Sequence, residues 1–233
     1  MEHTTTHTAW LDTPKAILLG ALIIGLGLAL GLGLGGGERV KKEKVRMWQV
    51  DAVLKENNIN KSDYQACLED GAAEARVQAD MDRAVDLGIT GTPGNLIVHI
   101  PTGRSVLLPG ALPLNIFNQA IEALRTGGTL EGIDIMQTTA TVDEDEHILG
   151  NPDGDIMIFE YSDYDCPFCV RVHETLHQLI QQDTSVAWAY RHFPLTGLHP
   201  QALPKAFASE CIAELGGEEA FWSFTDTNFA GKL

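Results

Sequence analysis

The chain has 233 residues, enough for one sizeable domain with an appendage or for two small domains. Its hydrophobic content of 44% is sufficient for a packed core and excludes a wholly disordered chain. The formal net charge of −16 is carried mostly after residue 46, where 28 acidic side chains outnumber 10 basic ones, and so acidic a body excludes binding to nucleic acid.

An uncharged apolar stretch runs from Ala16 to Leu34 and continues into three glycines. Its 19 residues are long enough to cross a bilayer at about 1.5 Å rise per residue. A buried soluble helix is one alternative, but six glycines between positions 20 and 35 would weaken a helix in water. A cleaved signal peptide is another, although no clear cleavage site follows. We predict an N-terminal tail over 1–15, an uncleaved transmembrane anchor over 16–37 and a basic juxtamembrane linker over 38–47.

The charges beside this segment bear on its orientation. Five basic residues lie between 38 and 46, whereas only Lys15 precedes the segment closely. By the positive-inside rule, this asymmetry places the following domain in the cytoplasm. The cysteines described below favour an extracytoplasmic domain, so the two signals disagree.

The segment 48–126 has the pattern of helices followed by a hairpin and one more helix. Apolar spacing and turn residues predict helices over 48–57, 61–87 and 113–125 and hairpin strands over 95–100 and 104–108. Gly71 is expected to break the second helix, and Asn60 or Ser62 to cap it. A loop with the sequence Gly-Ile-Thr-Gly-Thr-Pro-Gly precedes the hairpin.

The remaining chain begins with a linker-like stretch. Residues 126–154 combine a glycine pair, a threonine-rich patch, an acidic run and an Asn-Pro-Asp-Gly turn. We predict a strand over 155–161, a helix from the C-x-x-C motif to about 182, a strand over 185–192 and two short helices over 201–230 separated by a glycine pair.

Cys166 and Cys169 form a C-x-x-C pair at the start of a predicted helix. Unpaired backbone N–H groups and the helix dipole favour a thiolate at the first cysteine. The second cysteine lies one turn further on the same side, from where it can attack a mixed disulfide. The pattern therefore predicts a thiol–disulfide exchange site.

A structural disulfide or half of a metal site are the alternatives, because His173 and His177 continue the same helix face. One helix cannot bring all four side chains to one ion, since His177 lies about 16 Å along the axis from Cys166. We therefore interpret the histidines as ordinary helix residues, and we predict neither a metal nor another cofactor.

Residues 147–230 resemble the DsbA-like thiol–disulfide oxidoreductases of the thioredoxin superfamily. The resemblance is carried by residues 147–152, the strand 156–161, Cys166-Pro-Phe-Cys169, Tyr190-Arg-His-Phe-Pro194, His199-Pro200 and Glu210-Cys211. Residues 48–126 resemble the second half of the same family, through Tyr64-Gln-Ala-Cys67-Leu68, the glycine- and threonine-rich loop, the hairpin and the last helix. The resemblance implies an α/β, thioredoxin-like fold with a helical insertion.

The order of the two halves is inverted relative to that family, in which the C-x-x-C half comes first. Each element occurs once, so we predict a circular permutation: 48–126 as the second half of the domain, 127–146 as a linker and 147–233 as the first half. The alternative is a truncated tandem whose halves pair between two chains as a swapped dimer.

The resemblance also implies roles for individual residues. Glu160 would relay protons for Cys169, the alternative being a strand carboxylate that faces solvent. Pro93 would be the family's cis-proline opposite the disulfide, and the backbone of Thr92 would pair with an extended substrate.

Cys67 and Cys211 remain, and relatives with a second, structural disulfide suggest that these two cysteines pair in the helical insertion. The alternative is two buried free cysteines. The even number of cysteines and an extracytoplasmic setting favour the disulfide.

The function implied is that of a thiol–disulfide oxidoreductase, an oxidase or isomerase, on the extracytoplasmic side of the cell membrane. Its partners would be exported proteins with thiols or disulfides and a membrane-bound or soluble redox protein. Pro167 and Phe168 replace the dipeptide that contains histidine in the strongest oxidants of the family, which predicts a moderate oxidant. A non-catalytic, membrane-tethered binding or chaperone module is the alternative.

Overall fold

The computed structural model describes residues 47–138, 142–143 and 145–231. The predicted tail and anchor, and residues 38–46 of the juxtamembrane linker, lie outside these ranges. Among the residues inside them, no helix is both long and apolar enough to cross a membrane. The described residues all belong to one compact unit.

The secondary structure of the described part follows the predicted elements closely. The helices are α1 (Met47–Glu56), α2 (Lys61–Asp70), α3 (Ala72–Asp86), α4 (Leu114–Thr126), α5 (Pro167–Gln182) and α6 (Ala202–Phe229). The strands are β1 (Gly94–His99), β2 (Arg104–Pro109), β3 (Met136–Gln137), β4 (His147–Gly150), β5 (Ile156–Ser162) and β6 (Val186–His192). Asn60 caps α2 by accepting a hydrogen bond from the backbone N–H of Ser62 at 2.8 Å.

The strands form one mixed sheet in the order β3-β2-β1-β5-β6-β4. Strands β5 and β6 are parallel, and the other neighbouring strands pair antiparallel. The central pair, β1 and β5, joins the segment before residue 127 to the segment after residue 146. A mixed sheet with helices on it is the α/β architecture expected of a thioredoxin-like fold.

Alternation along the central strands divides the core into two layers. Ile97, Ile158 and Trp188 lie side by side across the sheet and pack in the layer that includes residues of α4 and α5. Leu96 and Phe159, their sequence neighbours, point into a second layer that includes residues of α3. Because both faces are covered, the central strands are buried along their whole length, which explains their nearly continuous apolar sequence.

The linker-like interpretation of residues 126–154 missed two short strands. Strand β3 pairs with β2, and strand β4 pairs with β6 at the opposite edge of the sheet. With two and four residues, these strands are too short to show a hydrophobic period, and polar turn residues surround them.

The helical insertion combines helices from both segments. Helices α1, α2 and α3 pack against α6, and a disulfide between Cys67 and Cys211 joins α2 to α6 with the Cα atoms 5.7 Å apart. Helix α6 is kinked at Gly217, where two short helices were expected to be separated. Gly71, with a φ of 89°, likewise separates α2 from α3, as the sequence predicts.

Candidate active site

Cys166 occupies the position directly before α5. Its backbone is extended, and Pro167 is the first helical residue, where the missing N–H of proline costs no hydrogen bond. The carbonyl of Cys166 accepts a hydrogen bond from the N–H of Cys169 at 3.0 Å, which starts the helix. The local sequence thus places the first thiol at the N-terminal end of the helix, beside its unpaired donors.

The pKa of Cys166 is lowered to about 5 by these surroundings. The largest cause is the hydrogen bond from the Cys169 thiol; burial opposes the shift, and Thr92 and the backbone N–H groups of Cys169 and Phe168 favour it. At neutral pH the reduced form therefore carries a thiolate at Cys166.

Cys169 is fully buried, and its sulfur accepts a hydrogen bond from the backbone N–H of Asp163 at 3.5 Å. Burial raises the pKa of Cys169 far above its ordinary value, and the hydrogen bond with Cys166 and the charge of Glu160 raise it further. The inner thiol consequently stays protonated when the outer one is ionised.

Glu160 lies in the middle of β5, between Asn95 of β1 and Tyr190 of β6. It is completely buried, which excludes the solvent-facing alternative, and within the described part of the chain neither carboxyl oxygen has a hydrogen-bond partner. Burial raises the pKa of Glu160 to about 8, while the side chains of Ser162 and Trp188 partly counter the shift. A carboxyl group that titrates near neutral pH can both give and take a proton.

The loop before β1 brings Thr92 to the outer cysteine. Sγ of Cys166 lies 3.5 Å from the carbonyl oxygen of Thr92, which accepts a hydrogen bond from Cys166 when that thiol is protonated, and the peptide bond between Thr92 and Pro93 is cis. A residue 74 positions earlier in the chain therefore lines the thiol site.

Two further residues hold the loop before Cys166, and neither was assigned a role from the sequence. The buried carboxylate of Asp163 accepts hydrogen bonds from the backbone N–H of Asp165 and of Leu195, each at 2.8 Å, and its Oδ2 lies 2.8 Å from Nδ1 of His199. The hydrogen bond with Asp163 raises the pKa of His199, and the charges of Asp163 and Cys166 add to the shift. Two signals in the sequence pointed to them: Asp163 lies close to the motif, and His199-Pro200 is one of the segments that carry the family resemblance.

The four cysteines are thus divided between two roles. Cys67 and Cys211 are paired in the helical insertion, whereas Cys166 and Cys169 are free thiols. Phe168, between the free thiols, is half exposed and packs its ring against the guanidinium of Arg171 at 4.7 Å. The site thus combines an outer thiol with a lowered pKa, an inner thiol with a raised pKa and a buried acid on the adjoining strand.

Comparison with known proteins agrees with this arrangement at the level of the fold. Residues 142–232 match the thioredoxin family, so this part of the chain is thioredoxin-like.

Similarity was also found to the Na(+)/H(+) antiporter NhaA 3 of Salinispora tropica, with 36% identity over 99 residues that cover 42% of this chain and 15% of the antiporter. NhaA 1 of Salinispora arenicola is 32% identical over 99 residues, with the same coverage of 42% and 15%. NhaA 1 of Mycolicibacterium gilvum is 37% identical over 87 residues, which cover 37% of this chain and 14% of that protein. The chain therefore spans about one seventh of the length of these curated relatives.

Proposed function

We propose that this protein is a membrane-anchored, DsbA-like thiol–disulfide oxidoreductase that forms or rearranges disulfides in exported proteins. The observation that carries the proposal is the opposite protonation of two thiols in one C-x-x-C motif: the pKa of Cys166 is lowered and that of Cys169 is raised. A stabilised outer thiolate is a good leaving group, and an inner thiol held protonated favours release of the client.

In the oxidising direction, a client thiolate attacks Sγ of Cys166 and breaks its bond to Cys169. The sulfur of Cys169 leaves as a thiolate and takes up a proton, which Glu160 is placed to donate. A second client thiolate then attacks the client sulfur of the mixed disulfide, and Cys166 departs as a thiolate. The client loses two electrons, the protein gains them, and a disulfide-containing redox partner restores the Cys166–Cys169 disulfide.

For isomerisation, the Cys166 thiolate attacks a client disulfide, forms the mixed disulfide and releases the other client sulfur as a thiolate. A client thiolate then attacks the client sulfur of the mixed disulfide and restores the Cys166 thiolate, so no electrons are transferred overall. If Cys169 instead loses its proton to Glu160 and attacks Cys166, the client leaves reduced and the Cys166–Cys169 disulfide forms. The two directions use the same residues, and the redox potentials of the client and partner decide between them.

The substrate segment is proposed to lie beside Thr92 and Pro93. The backbone of a loop that reaches the thiol can pair with the main chain of an extended peptide, which recognises many clients without reading their sequence. The half-exposed ring of Phe168 adds an apolar surface next to the sulfur.

A membrane location is supported by the apolar stretch before residue 38 and by the similarity to antiporters. The matched part is a small fraction of those proteins, so ion transport is not proposed here. Labelling of the cysteines in intact cells with a membrane-impermeant thiol reagent tests the orientation. Labelling without lysis is the expected result, whereas labelling only after lysis would place the domain in the cytoplasm.

The activity is tested by oxidation of a reduced, unfolded client with the oxidised protein. We expect stoichiometric loss of client thiols with the parent protein and none with Cys166→Ser. Cys169→Ser, the matched variant at the inner position, cannot form the Cys166–Cys169 disulfide and should not oxidise the client either. With a client that contains a disulfide, however, it should accumulate a mixed disulfide at Cys166, because its resolving thiol is missing. No oxidation or reduction by the parent protein would defeat the enzyme proposal and favour the binding or chaperone module.

A further inference from the structure

Two histidines of α5 meet an aspartate of α6 outside the thiol site. His173 and His177 lie one helical turn apart, and their Nε2 atoms are 3.2 Å from each other. Oδ1 of Asp226 lies 2.8 Å from Nε2 of His173 and 3.1 Å from Nε2 of His177. Three ligand atoms of the kinds that bind transition metals therefore face one point.

The spacing of these atoms fits one face of a tetrahedron. Ligands about 2.0–2.1 Å from a zinc ion stand about 3.3 Å from one another in tetrahedral geometry. The three separations lie between 2.8 and 3.2 Å. An ion above the triangle reaches all three atoms if the side chains move apart by a few tenths of an ångström.

The arrangement is less favourable without an ion. If each neutral ring directs an N–H at the single oxygen of Asp226, two donors crowd each other across 3.2 Å. If one ring instead accepts a hydrogen bond from the other at its Nε2, that ring has no N–H to donate there. Asp226 then loses one of its two hydrogen bonds. A cation bound by both imidazole lone pairs and by the carboxylate removes this conflict, because all three groups then act as ligands.

The three side chains are of kinds that bind metal ions. A metal is bound by a neutral imidazole through a ring nitrogen and by an ionised carboxylate through an oxygen, and these are the atoms that meet here.

Packing fixes the orientation of the inner ring. His173 is buried, with its ring centroid 5.2 Å from that of Trp188 and 4.8 Å from that of Phe229. Its Nδ1 has no hydrogen-bond partner within the described ranges, so the orientation of the ring depends on this packing and on the contacts of Nε2. The side chain of Asp226 is half exposed, which leaves a fourth position open to water.

We propose that His173, His177 and Asp226 form a binding site for a divalent transition-metal ion, zinc by the match of two imidazole nitrogens, a carboxylate oxygen and tetrahedral spacing. The objection drawn from the sequence concerned four ligands on one helix. It does not apply here, because the third ligand comes from α6, 49 residues beyond His177. A bound ion connects the C-x-x-C helix to the helical insertion.

Calorimetric titration with Zn²⁺ alone tests the site. The full chain carries Cys166→Ser and Cys169→Ser in this experiment, because the thiols of a C-x-x-C motif bind zinc themselves. We expect one ion per chain. His177→Gln and Asp226→Asn should each weaken binding at least about tenfold, since each removes a direct ligand and even second-shell changes have effects of that size.

Two matched controls should bind zinc like the parent. Glu174→Gln removes the same charge from an exposed position of α5, and His3→Gln with His7→Gln removes the histidines of the N-terminal tail. The proposal would be overturned by any of three results. Asp226→Asn could bind zinc as tightly as the parent, Glu174→Gln could lose as much affinity as Asp226→Asn, or the affinity could be lost when His3 and His7 are replaced.

Thermal unfolding provides an independent measurement on the same proteins. Zinc bound to the folded state should raise the midpoint of the parent with the logarithm of its concentration, and His177→Gln should need at least about tenfold more zinc for the same rise. The midpoints without zinc report whether each variant is folded. If Asp226→Asn is unstable, His177→Gln decides alone, and a rise equal to that of the parent at the same zinc concentrations contradicts the site.

Discussion

At the scale of single residues, Cys166 and Cys169 differ in their surroundings although only two residues separate them. The outer sulfur meets hydrogen-bond donors at the start of α5, whereas the inner one is enclosed by the core near a buried carboxyl group. The dipeptide between them lacks a histidine, but Nδ1 of His199, in the loop after β6, lies 2.8 Å from Oδ2 of Asp163. The hydrogen bond with Asp163 and the charge of Cys166 both raise the pKa of His199, so a histidine outside the motif interacts electrostatically with the outer thiolate.

The thiolate of Cys166 should be detectable far below the ordinary pKa of cysteine. We expect the rate of alkylation of the reduced protein to rise with a midpoint near pH 5, because the pKa of Cys166 is lowered to about 5. Cys169→Ala should move this midpoint upward, since the largest cause of the shift is the hydrogen bond from Cys169. Cys169→Ser retains a donor and is the matched control. A parent midpoint between pH 8 and 9 would contradict the assignment.

The buried acid makes a second prediction, on stability. The pKa of Glu160 is raised to about 8, so the folded state keeps the proton at pH values where the unfolded chain has lost it. Stability is therefore unaffected below the unfolded pKa and falls as pH rises toward about 8. Relative to the parent, the free energy of unfolding of Glu160→Gln should therefore rise over this pH range, by on the order of 4 kcal/mol.

Urea unfolding of both proteins at pH 4, 6 and 8.5 measures this difference in the free energy of unfolding. Glu122→Gln, an exposed glutamate on α4, is the matched control and should run parallel to the parent. A difference between Glu160→Gln and the parent that does not change with pH would mean that Glu160 has the same pKa in the folded and unfolded states, and would contradict the prediction.

At the scale of elements, the kink in α6 depends on the backbone of one glycine. Gly217 has φ 77° and ψ −173°, a region essentially restricted to glycine, and it redirects the chain between two helical pieces. The neighbouring Gly216 is required for another reason, since a Cβ there would lie 2.6 Å from that of Ala220. Gly217 is thus required for its backbone conformation, and Gly216 for the space that a side chain would occupy.

Gly217→Ala should lower the free energy of unfolding by about 1–3 kcal/mol, the cost of holding a residue with a Cβ in this region. Apart from its chain neighbours and the backbone of its own helix, no atom of the described residues lies within 4 Å of the added methyl group, so the loss reports conformation. Gly197→Ala, which is also free of close neighbours, should change stability little. Equal losses in the two variants, measured by chemical denaturation, would argue against the strained kink.

At the scale of the whole molecule, contacts between the two segments complete both the sheet and the insertion. Besides the pairing of β1 with β5, the guanidinium of Arg125 on α4 binds Asp155 through two hydrogen bonds of 2.6 and 2.7 Å and Asp183 through one of 2.7 Å. Nε of Arg76 on α3 lies 2.6 Å from the buried carboxylate of Glu210 on α6. We propose that these contacts form within one chain, as a circular permutation requires.

The disulfide between Cys67 and Cys211 distinguishes the permuted monomer from a swapped dimer. We expect non-reducing mass analysis of the Cys166→Ser, Cys169→Ser chain to give a monomer that contains one internal disulfide. A covalent dimer would show that the halves pair between chains. Cys67→Ser should lower the free energy of unfolding by about 2–5 kcal/mol, because it opens a loop of 144 residues.

The sequence predicted most of the elements, whereas the exchange chemistry of the motif stays a prediction. Breaks at Gly71 and Gly217 and the cap at Asn60 depend on residues close to each other in the chain, so their local sequence sufficed. The two edge strands were missed because pairing partners elsewhere in the sheet define them. Hydrophobic period and turn chemistry describe windows of a few residues and carry no information on distant partners.

The sequence by itself determined that two thiols lie one turn apart at a helix start, since the C-x-x-C spacing and the preceding apolar strand fix that geometry. Only the tertiary structure decided that Thr92 lies against Cys166, that the carboxyl group of Glu160 is enclosed, and that Asp226 meets His173 from 53 residues away. The physical reason is that burial and hydrogen bonding set the pKa of each group, and both depend on side chains that packing brings together from both segments.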